Sequence, residues 1–331
     1  VFNSDNGKPS PCASSCFQLL TRKGMFIYEE DSNYCYFNPY SFETSDQFFL
    51  VGVVMGLAIY NSIIIDIPLP PFAFRKLLAT GPTPPMGSAA HPKPTLSYSL
   101  DDLAEIRPRL ASGLRQLLEY DGNVEETFSL DFTISVDKYG TPVQVPLLAD
   151  GAGQPVTNRN RRRYVDLYVR HALDASVSRQ FEPFKRGFYT VCGGNALTLF
   201  RPEEIELLVR GSDGALDVSA LRGAAVYENW GTDCPDDGSE PVVRWFWEAF
   251  EGASPAEQRR LLLFVTGSDR IPAAGAASVR IRISCMGGDS ERFPIARTYF
   301  NMLQLWRYGS REKLERKLWM AAFESEGFGL K

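Results

Sequence analysis

In the stretch LFRPEEIELLVRGSDG (199–214), Pro202 stands where a helix would begin, Glu203 and Glu204 follow in its first turn, and the apolar run ends at Gly211. Proline suits a first helical position because its missing N–H is not needed there, acids complement the positive end of the helix, and glycine suits the residue past the end. Gly211, Ser212, Asp213 and Gly214 then read as a hinge. The chain therefore reads as two parts joined near residue 211.

The rest of the chain agrees with two parts. It has 331 residues, 44% of them hydrophobic and 23% charged, enough to bury a full core and unlike a disordered or collagenous chain. Six cysteines are too sparse for a secreted disulfide scaffold, so a reducing compartment is expected. A net charge of −5 argues against coating nucleic acid or an anionic membrane. Val1 opens the chain with no charged, apolar leader, and an excised domain with upstream sequence missing is expected.

Only 48–65 raises a membrane question, through an uncharged run that carries Gly52 and Gly56 at the spacing of a helix-pairing motif. Asp46 and Asp66 bracket it without basic anchors, and Asn61 and Ser62 oppose insertion, so a helix over 45–60 buried on all sides is expected instead. Thr44 and Gln47 have capping-box spacing at its start. Pro82, Pro84, Pro85, Pro92 and Pro94 then mark a surface loop.

After Pro108, Leu110, Leu114, Leu117 and Leu118 follow a helical stripe. Phe128, Leu130, Phe132, Ile134 and Val136 alternate as a half-buried strand, and 137–140 is a turn into a partner strand near 143–147. A helix opened by Arg159, Arg161, Arg162 and Arg163 carries Tyr164, Leu167, Tyr168 and Leu173; the basic cluster reads as a solvated helix start rather than a phosphate site. The result is a helix–hairpin–helix insert. In the second half Ser254, Pro255 and Glu257 make a capping box closed by Gly267, Val279 to Ile283 alternate as a strand, and Ser310 caps a last helix with Leu314 and Leu318. That half reads as α+β, and no internal repeat appears.

Chemistry is scarce. His91 and His171 alone leave no material for a His-based triad or a multi-His metal site, Cys12 and Cys16 lack a second pair at zinc spacing, and no Walker loop, G-x-G-x-x-G or G-x-S-x-G is present.

The segments FNPYSFETSDQF (37–48), GLAIYNSIIIDIPLPPFAFRKLL (56–78), LLEYDGNVEETF (117–128), KRGFYTV (185–191), LFRPEEIELLVRGS (199–212), LLLFVTGSDRIP (261–272) and GFGLK (327–331) together resemble a HECT ubiquitin ligase domain, collinearly over nearly the whole chain and most like the Angelman-type and fungal branch. The resemblance implies an α+β, bilobal domain. A mainly helical N-lobe would span 1–211, with a conjugating-enzyme-docking subdomain at about 96–180, a hinge at 212–213 and a smaller α+β C-lobe at 214–331. It implies ubiquitin transfer through a cysteine thioester, without a cofactor. The partners would be a ubiquitin-conjugating enzyme, ubiquitin, and protein substrates chosen by upstream sequence, with no nucleic acid or membrane, in the cytoplasm or nucleus. By position Leu110, Gly113, Leu114, Tyr120, Thr127, Phe128 and Tyr164 match the docking groove; Leu117 and Leu118 read as subdomain core, and Leu114 and Tyr164 are read as groove rather than core. Phe328 stands fourth from the end, where the family has a phenylalanine that helps transfer to lysine.

At one position the pattern breaks. The family's acceptor segment runs Leu or Phe, Pro, any residue, Ala, His or Arg, Thr, Cys, Phe, Asn, whereas residues 293–301 read FPIARTYFN. Arg297, Thr298 and Phe300 keep the frame, and Tyr299 takes the cysteine's place. A thiol with a pKa of about 8.5 is a ready acyl acceptor, while a free phenol with a pKa of about 10 is only about a thousandth ionised at pH 7 and would form an aryl ester. No ubiquitin thioester is expected on this chain. Cys285, Cys192 and Cys234 read as inert thiols. Two explanations stay open: an inactivated copy of a working ligase, or a pseudoligase that keeps its docking surfaces for a conjugating enzyme or ubiquitin.

Overall fold

The computed structural model describes residues 24–65, 67–81, 96–193, 197, 199–231 and 238–324. The Pro-rich stretch from Pro82, His91, Cys12, Cys16, Cys234 and Phe328 lie outside the described residues.

The described chain opens with an antiparallel hairpin of β1 (Phe26–Glu29) and β2 (Tyr34–Phe37). Helices α1 (Ser45–Tyr60), α2 (Pro71–Ala79), α3 (Leu100–Ile106), α4 (Pro108–Glu119) and α5 (Val124–Phe128) follow. A second antiparallel hairpin, β3 (Thr133–Lys138) and β4 (Thr141–Pro146), leads to α6 (Arg161–Leu173), α7 (Ser178–Cys192) and α8 (Pro202–Arg210). Then come α9 (Val218–Ala224), β5 (Val226–Glu228), α10 (Pro241–Glu251), α11 (Pro255–Thr266), β6 (Arg282–Cys285), β7 (Ile295–Arg297), β8 (Met302–Leu305) and α12 (Arg311–Glu324). The fold is α+β. The chain divides into two compact units, one of Ile67–Glu206 with the described residues up to Asn61, the other of the residues from Leu207 onward with 62–65.

In the first unit α1 and α7 pack backbone to backbone. A Cβ on Gly52 would collide with the carbonyl oxygen of Phe184, one on Gly187 with that of Phe49, and one on Gly56 would come within 2.9 Å of Val191 Cβ. The Gly52/Gly56 pair is thus a close-approach surface inside a folded core, and among the described residues no helix is long and apolar enough to cross a membrane. Phe26, Phe37, Phe48, Phe181 and Phe184 pack around this contact, with Phe37 edge-on to Phe181 and Phe184 at 5.8 and 5.2 Å.

Two expectations fail on α1. It is not buried on all sides: Phe48, Val51 and Met55 are buried, while Leu50, Val54 and Leu57 are exposed, because only one face meets α7. Thr44 is its N-cap but makes no side-chain cap bond. A capping box does form at α3, between Ser99 and Asp102.

The strand expected from Phe128 begins only at Thr133; Phe128 closes α5, and Ser129, with φ +46°, turns the chain out of it. The hairpin turn is as read, with Tyr139 and Gly140 at φ +57° and +79° and Gly140 N–H donating to Asp137 Oδ1 at 2.6 Å. Its tip reaches the β2–α1 connection, where the Tyr139 ring stacks on Phe42 at 4.5 Å and its hydroxyl donates to the Tyr40 carbonyl.

The second unit is a four-stranded sheet, order β5-β6-β8-β7, with β7 antiparallel at the edge and the other three parallel. Trp247, Phe246 and Phe250 of α10, Leu261 and Leu262 of α11, Ile283, Leu303 and Leu305 of the sheet, and Leu314 and Leu318 of α12 form its core. Ser254 and Glu257 make the expected box, Gly267 ends α11 at φ +82°, and Ser310 Oγ accepts from Lys313 N at 3.2 Å. Val279 and Ile281 are buried as the alternation implies, but a 3₁₀ turn at Ala276–Ser278 precedes them and the strand proper starts at Arg282.

Gly187→Ala is expected to cost about 3 kcal/mol, since neither backbone can yield without separating the helices. Gly113→Ala, on an open face of α4 with nothing within 4 Å of the new methyl, is expected to stabilise by about 0.5–1 kcal/mol. Urea midpoints of the two variants check both signs.

Candidate functional site

The sheet places 298–301 at the tip of the hairpin joining β7 to β8, where Arg297 pairs with Met302 in register. Thr298–Phe300 form one 3₁₀ turn and Asn301, at φ +48°, completes it. Asn301 N–H donates to the Thr298 carbonyl at 3.1 Å, and the Asn301 carbonyl accepts from Arg282 N–H at 2.9 Å, so the loop is tied to β6.

Tyr299 is 90% exposed, the most exposed of the large hydrophobic side chains among the described residues. Its ring meets Phe300 edge-on at 5.0 Å, and its hydroxyl has no hydrogen-bond partner among the described residues. Arg297 Nε donates to Gln304 Oε1 at 3.2 Å, which turns the guanidinium along the sheet. Thr298 sits against the end of α11: a Cβ on Gly267 would lie 3.3 Å from Thr298 Cβ. Phe293, Ile295 and Phe300 are also exposed, giving the edge strand and its loop an apolar border that sequence reading did not single out. Its only signal there was an apolar residue at every second position of 293–295.

The other thiols are elsewhere. Cys285 pairs in register with Leu305, three residues along from the Arg282–Met302 pair, so it lies about 10 Å down the strands from the loop. Cys192 is half-buried in the first unit with Sγ 3.6 Å from the Gly56 carbonyl, and burial pushes its thiol above the usual range. No three His, Cys, Asp or Glu side chains converge among the described residues in a way that would hold a metal.

The helix–hairpin–helix region separates the seven docking candidates into two groups. Leu114 and Tyr164 are buried, at 6% and 4% exposure, so reading them as surface groove residues rather than core is corrected. Tyr164 packs edge-on to Phe132 at 5.6 Å and donates to the Thr133 carbonyl at 3.3 Å; burial, with Tyr168 beside it, pushes its pKa to about 12. Tyr164 therefore faces Phe132 and the start of β3. Leu117 is buried as expected and Leu118 half-buried.

Gly113 and Thr127 are exposed, and Leu110, Tyr120 and Phe128 are half-buried. Three of these converge at the α4–α5 corner: Tyr120 meets Phe128 edge-on at 5.2 Å, and the Tyr120 hydroxyl lies 3.0 Å from Thr127 Oγ1. The corner is held by Arg161, whose Nη1 donates to the carbonyls of Leu117, at 3.3 Å, and Tyr120. One member of the basic cluster is therefore a helix-end clamp, while Arg159, Arg162 and Arg163 are exposed.

At the expected hinge, Gly211 is buried at φ +67°, and a Cβ there would lie 2.6 Å from the Ile271 carbonyl oxygen. Ser212 exchanges both backbone hydrogen bonds with Ile271, at 2.7 and 2.9 Å; Asp213 is exposed.

Comparison with known proteins gives this geometry its context. Residues 12–331 match the model of the HECT domain, described as a ubiquitin-transferase. The chain belongs to the HECT family. It is 41% identical over 320 residues to probable E3 ubiquitin-protein ligase HECTD2 of Mus musculus, covering 95% of this chain and 40% of that protein. To probable E3 ubiquitin-protein ligase mug30 of Schizosaccharomyces pombe it is 38% identical over 342 residues, with the same coverage. To probable E3 ubiquitin-protein ligase HERC4 of Homo sapiens it is 38% identical over 317 residues, covering 95% of the chain and 28% of that protein. This HECT domain thus spans two-fifths or less of the length of these relatives.

In this HECT domain Tyr164→Ala is expected to lose about 3 kcal/mol of stability by opening a core cavity. Gly267→Ala is expected to cost about 1 kcal/mol, through strain at positive φ, and to loosen Thr298. Thermal unfolding, with amide exchange across 298–301, checks both.

Proposed function

We propose that this chain is built to take ubiquitin from a charged conjugating enzyme and pass it to substrate lysines, and that with Tyr299 at the acceptor position it makes no thioester. The observation that carries this reading is the loop itself. A side chain at the tip of the β7–β8 hairpin is almost fully exposed and reachable by a bulky thioester donor, yet here it is a phenol with no hydrogen-bond partner among the described residues. Acyl transfer from a thioester needs a nucleophile that is substantially ionised or has a base beside it, and an unassisted phenol is neither.

The Tyr120–Thr127–Phe128 corner supports conjugating-enzyme docking: two aromatic rings and a hydroxyl, half-exposed and held by Arg161, suit a small reversible interface with aromatic anchors. Arg297, Thr298 and Phe300 act on the acceptor position by shaping its turn, and Phe328 is assigned to the tail by the family pattern. The sparse cysteines, with Cys192 and Cys285 present as thiols, support a cytoplasmic or nuclear setting.

A second reading is favoured by the same corner, which is independent of residue 299: the chain holds a conjugating enzyme or ubiquitin without transferring it. A single-turnover chase with charged conjugating enzyme on non-reducing gels separates the two. The chain is expected to give no reductant-sensitive ubiquitin band and Tyr299→Cys to give one. A thioester on the unaltered chain refutes the assignment of Tyr299, and a silent Tyr299→Cys chain favours the holding module. Phe128→Ala is expected to weaken conjugating-enzyme binding about tenfold in a titration without changing the melting temperature by more than a few degrees.

A further inference from the structure

Four main-chain carbonyls around residues 211–214 are bound by two arginines of the same unit, an arrangement that transfer chemistry as such does not call for. Arg259, on α11, donates through Nη2 to the carbonyls of Asp213 and, at 2.7 Å, Gly214, and through Nη1 to that of Asp269 at 3.1 Å. Arg270 Nη1 adds the Gly211 carbonyl at 3.3 Å. Ser212 and Ile271 lie between these points, joined by their pair of backbone hydrogen bonds. Arg259 therefore grips the chain on both sides of a two-residue bridge too short to hold itself. The guanidinium faces carbonyls only, with no carboxylate paired to it among the described residues. Its planar fork reaches several acceptors at fixed angles, which a lysine ammonium cannot.

The corner that Arg259 binds has a second face. Thr266 Oγ1 donates to the Leu262 carbonyl at 2.8 Å and lies 2.8 Å from that of Ser268, fixing the exit from α11. The next residue, Gly267, carries Thr298 against the space where its own Cβ would be. Residues 266–271 thus bear the 211–214 segment on one side and the turn holding Tyr299 on the other.

We propose that Arg259 is a positioning residue: it staples 211–214 to the C-terminal corner of α11, so that this segment and the 298–301 loop move as one piece. The functional half of this inference rests on the reading of the chain as a ubiquitin transferase with its acceptor position at 299. Reaction between a docked thioester and an acceptor requires approach to about 3–3.5 Å in a defined orientation. A segment free to swing against the loop would spread that orientation over many geometries, lowering the rate and leaving docking untouched.

The test uses the full chain carrying Tyr299→Cys, with Arg259→Ala and Arg259→Lys added separately. Amide exchange at Ser212 and Ile271 is expected to accelerate at least about tenfold in the alanine chain and less in the lysine chain. Single-turnover thioester formation at saturating charged conjugating enzyme is expected to slow about tenfold in the alanine chain, with partial recovery for lysine and unchanged affinity for the conjugating enzyme. Unchanged exchange at Ser212 and Ile271 overturns the staple. Faster exchange with undiminished transfer, or a loss confined to affinity, overturns the positioning role. If the alanine chain does not fold, the lysine chain, which keeps the charge and loses the fork, carries the same comparison. A Tyr299→Cys parent that forms no thioester counts against the transferase reading and removes the functional half with it, while exchange still decides the staple.

Discussion

The direct contact of two helix backbones at Gly52, Gly56 and Gly187 is the constraint on which the first unit is arranged. With no side chains between them, α1 and α7 form one slab, and the aromatic cluster of Phe37, Phe48, Phe181 and Phe184 closes around its end. Lys76 is drawn into the same core, 2% exposed, with Nζ 2.9 Å from Asp174 Oδ1, 3.0 Å from the Leu173 carbonyl and 4.3 Å from the centre of the Phe181 ring. Tyr36 donates to that same carbonyl at 2.8 Å. The end of α6 is thereby fastened to the slab, and the Tyr120–Phe128 corner at its other end inherits that placement through Arg161.

In the second unit the comparable constraint is strand order. Putting β7 at the edge, antiparallel to β8, makes the 298–301 connection a tight turn at the rim of the sheet. A side chain at its tip is free of packing, so size and shape at 299 hardly affect the fold. The same exposure that suits an acceptor of a bulky acyl group lets a tyrosine occupy the position at little cost in stability. Chemistry at this site is decided by one side chain, and stability by residues that never touch it. A chain can therefore keep the whole scaffold while the side chain at this tip changes.

Much of this was legible from the residues. Helix ends were read from capping chemistry that is local by nature, as at Ser254, Glu257 and Gly267, and the β3–β4 turn from Asp137 to Gly140 between two apolar stretches. Errors came where periodicity reports that a face is apolar without saying what covers it. Leu114 and Tyr164 were placed in the groove by their position in the family pattern, but an apolar stripe is equally the signature of a core, and both are buried. The apolar run in α1 overstated burial for the same reason, since one neighbour, α7, covers only one side. Lys76 and Arg259 were illegible because a charged residue on a helix reads as solvated until its acceptors, about 97 and 45 residues away in the chain, are brought to it.

The order of residues alone determined the succession of helices and hairpins, the family, the helix stop at Gly211, and the identity of the atom at position 299, because these depend on neighbours a few residues apart or on a pattern spread collinearly along the chain. Only the tertiary structure decided which apolar stripe faces a core and which faces solvent, that Gly52 and Gly187 admit a backbone instead of a side chain, that position 299 stands at an exposed rim, and that Arg259 and Arg161 serve carbonyls. Those outcomes are set by contacts between distant segments, and nothing in local sequence encodes which distant group will arrive.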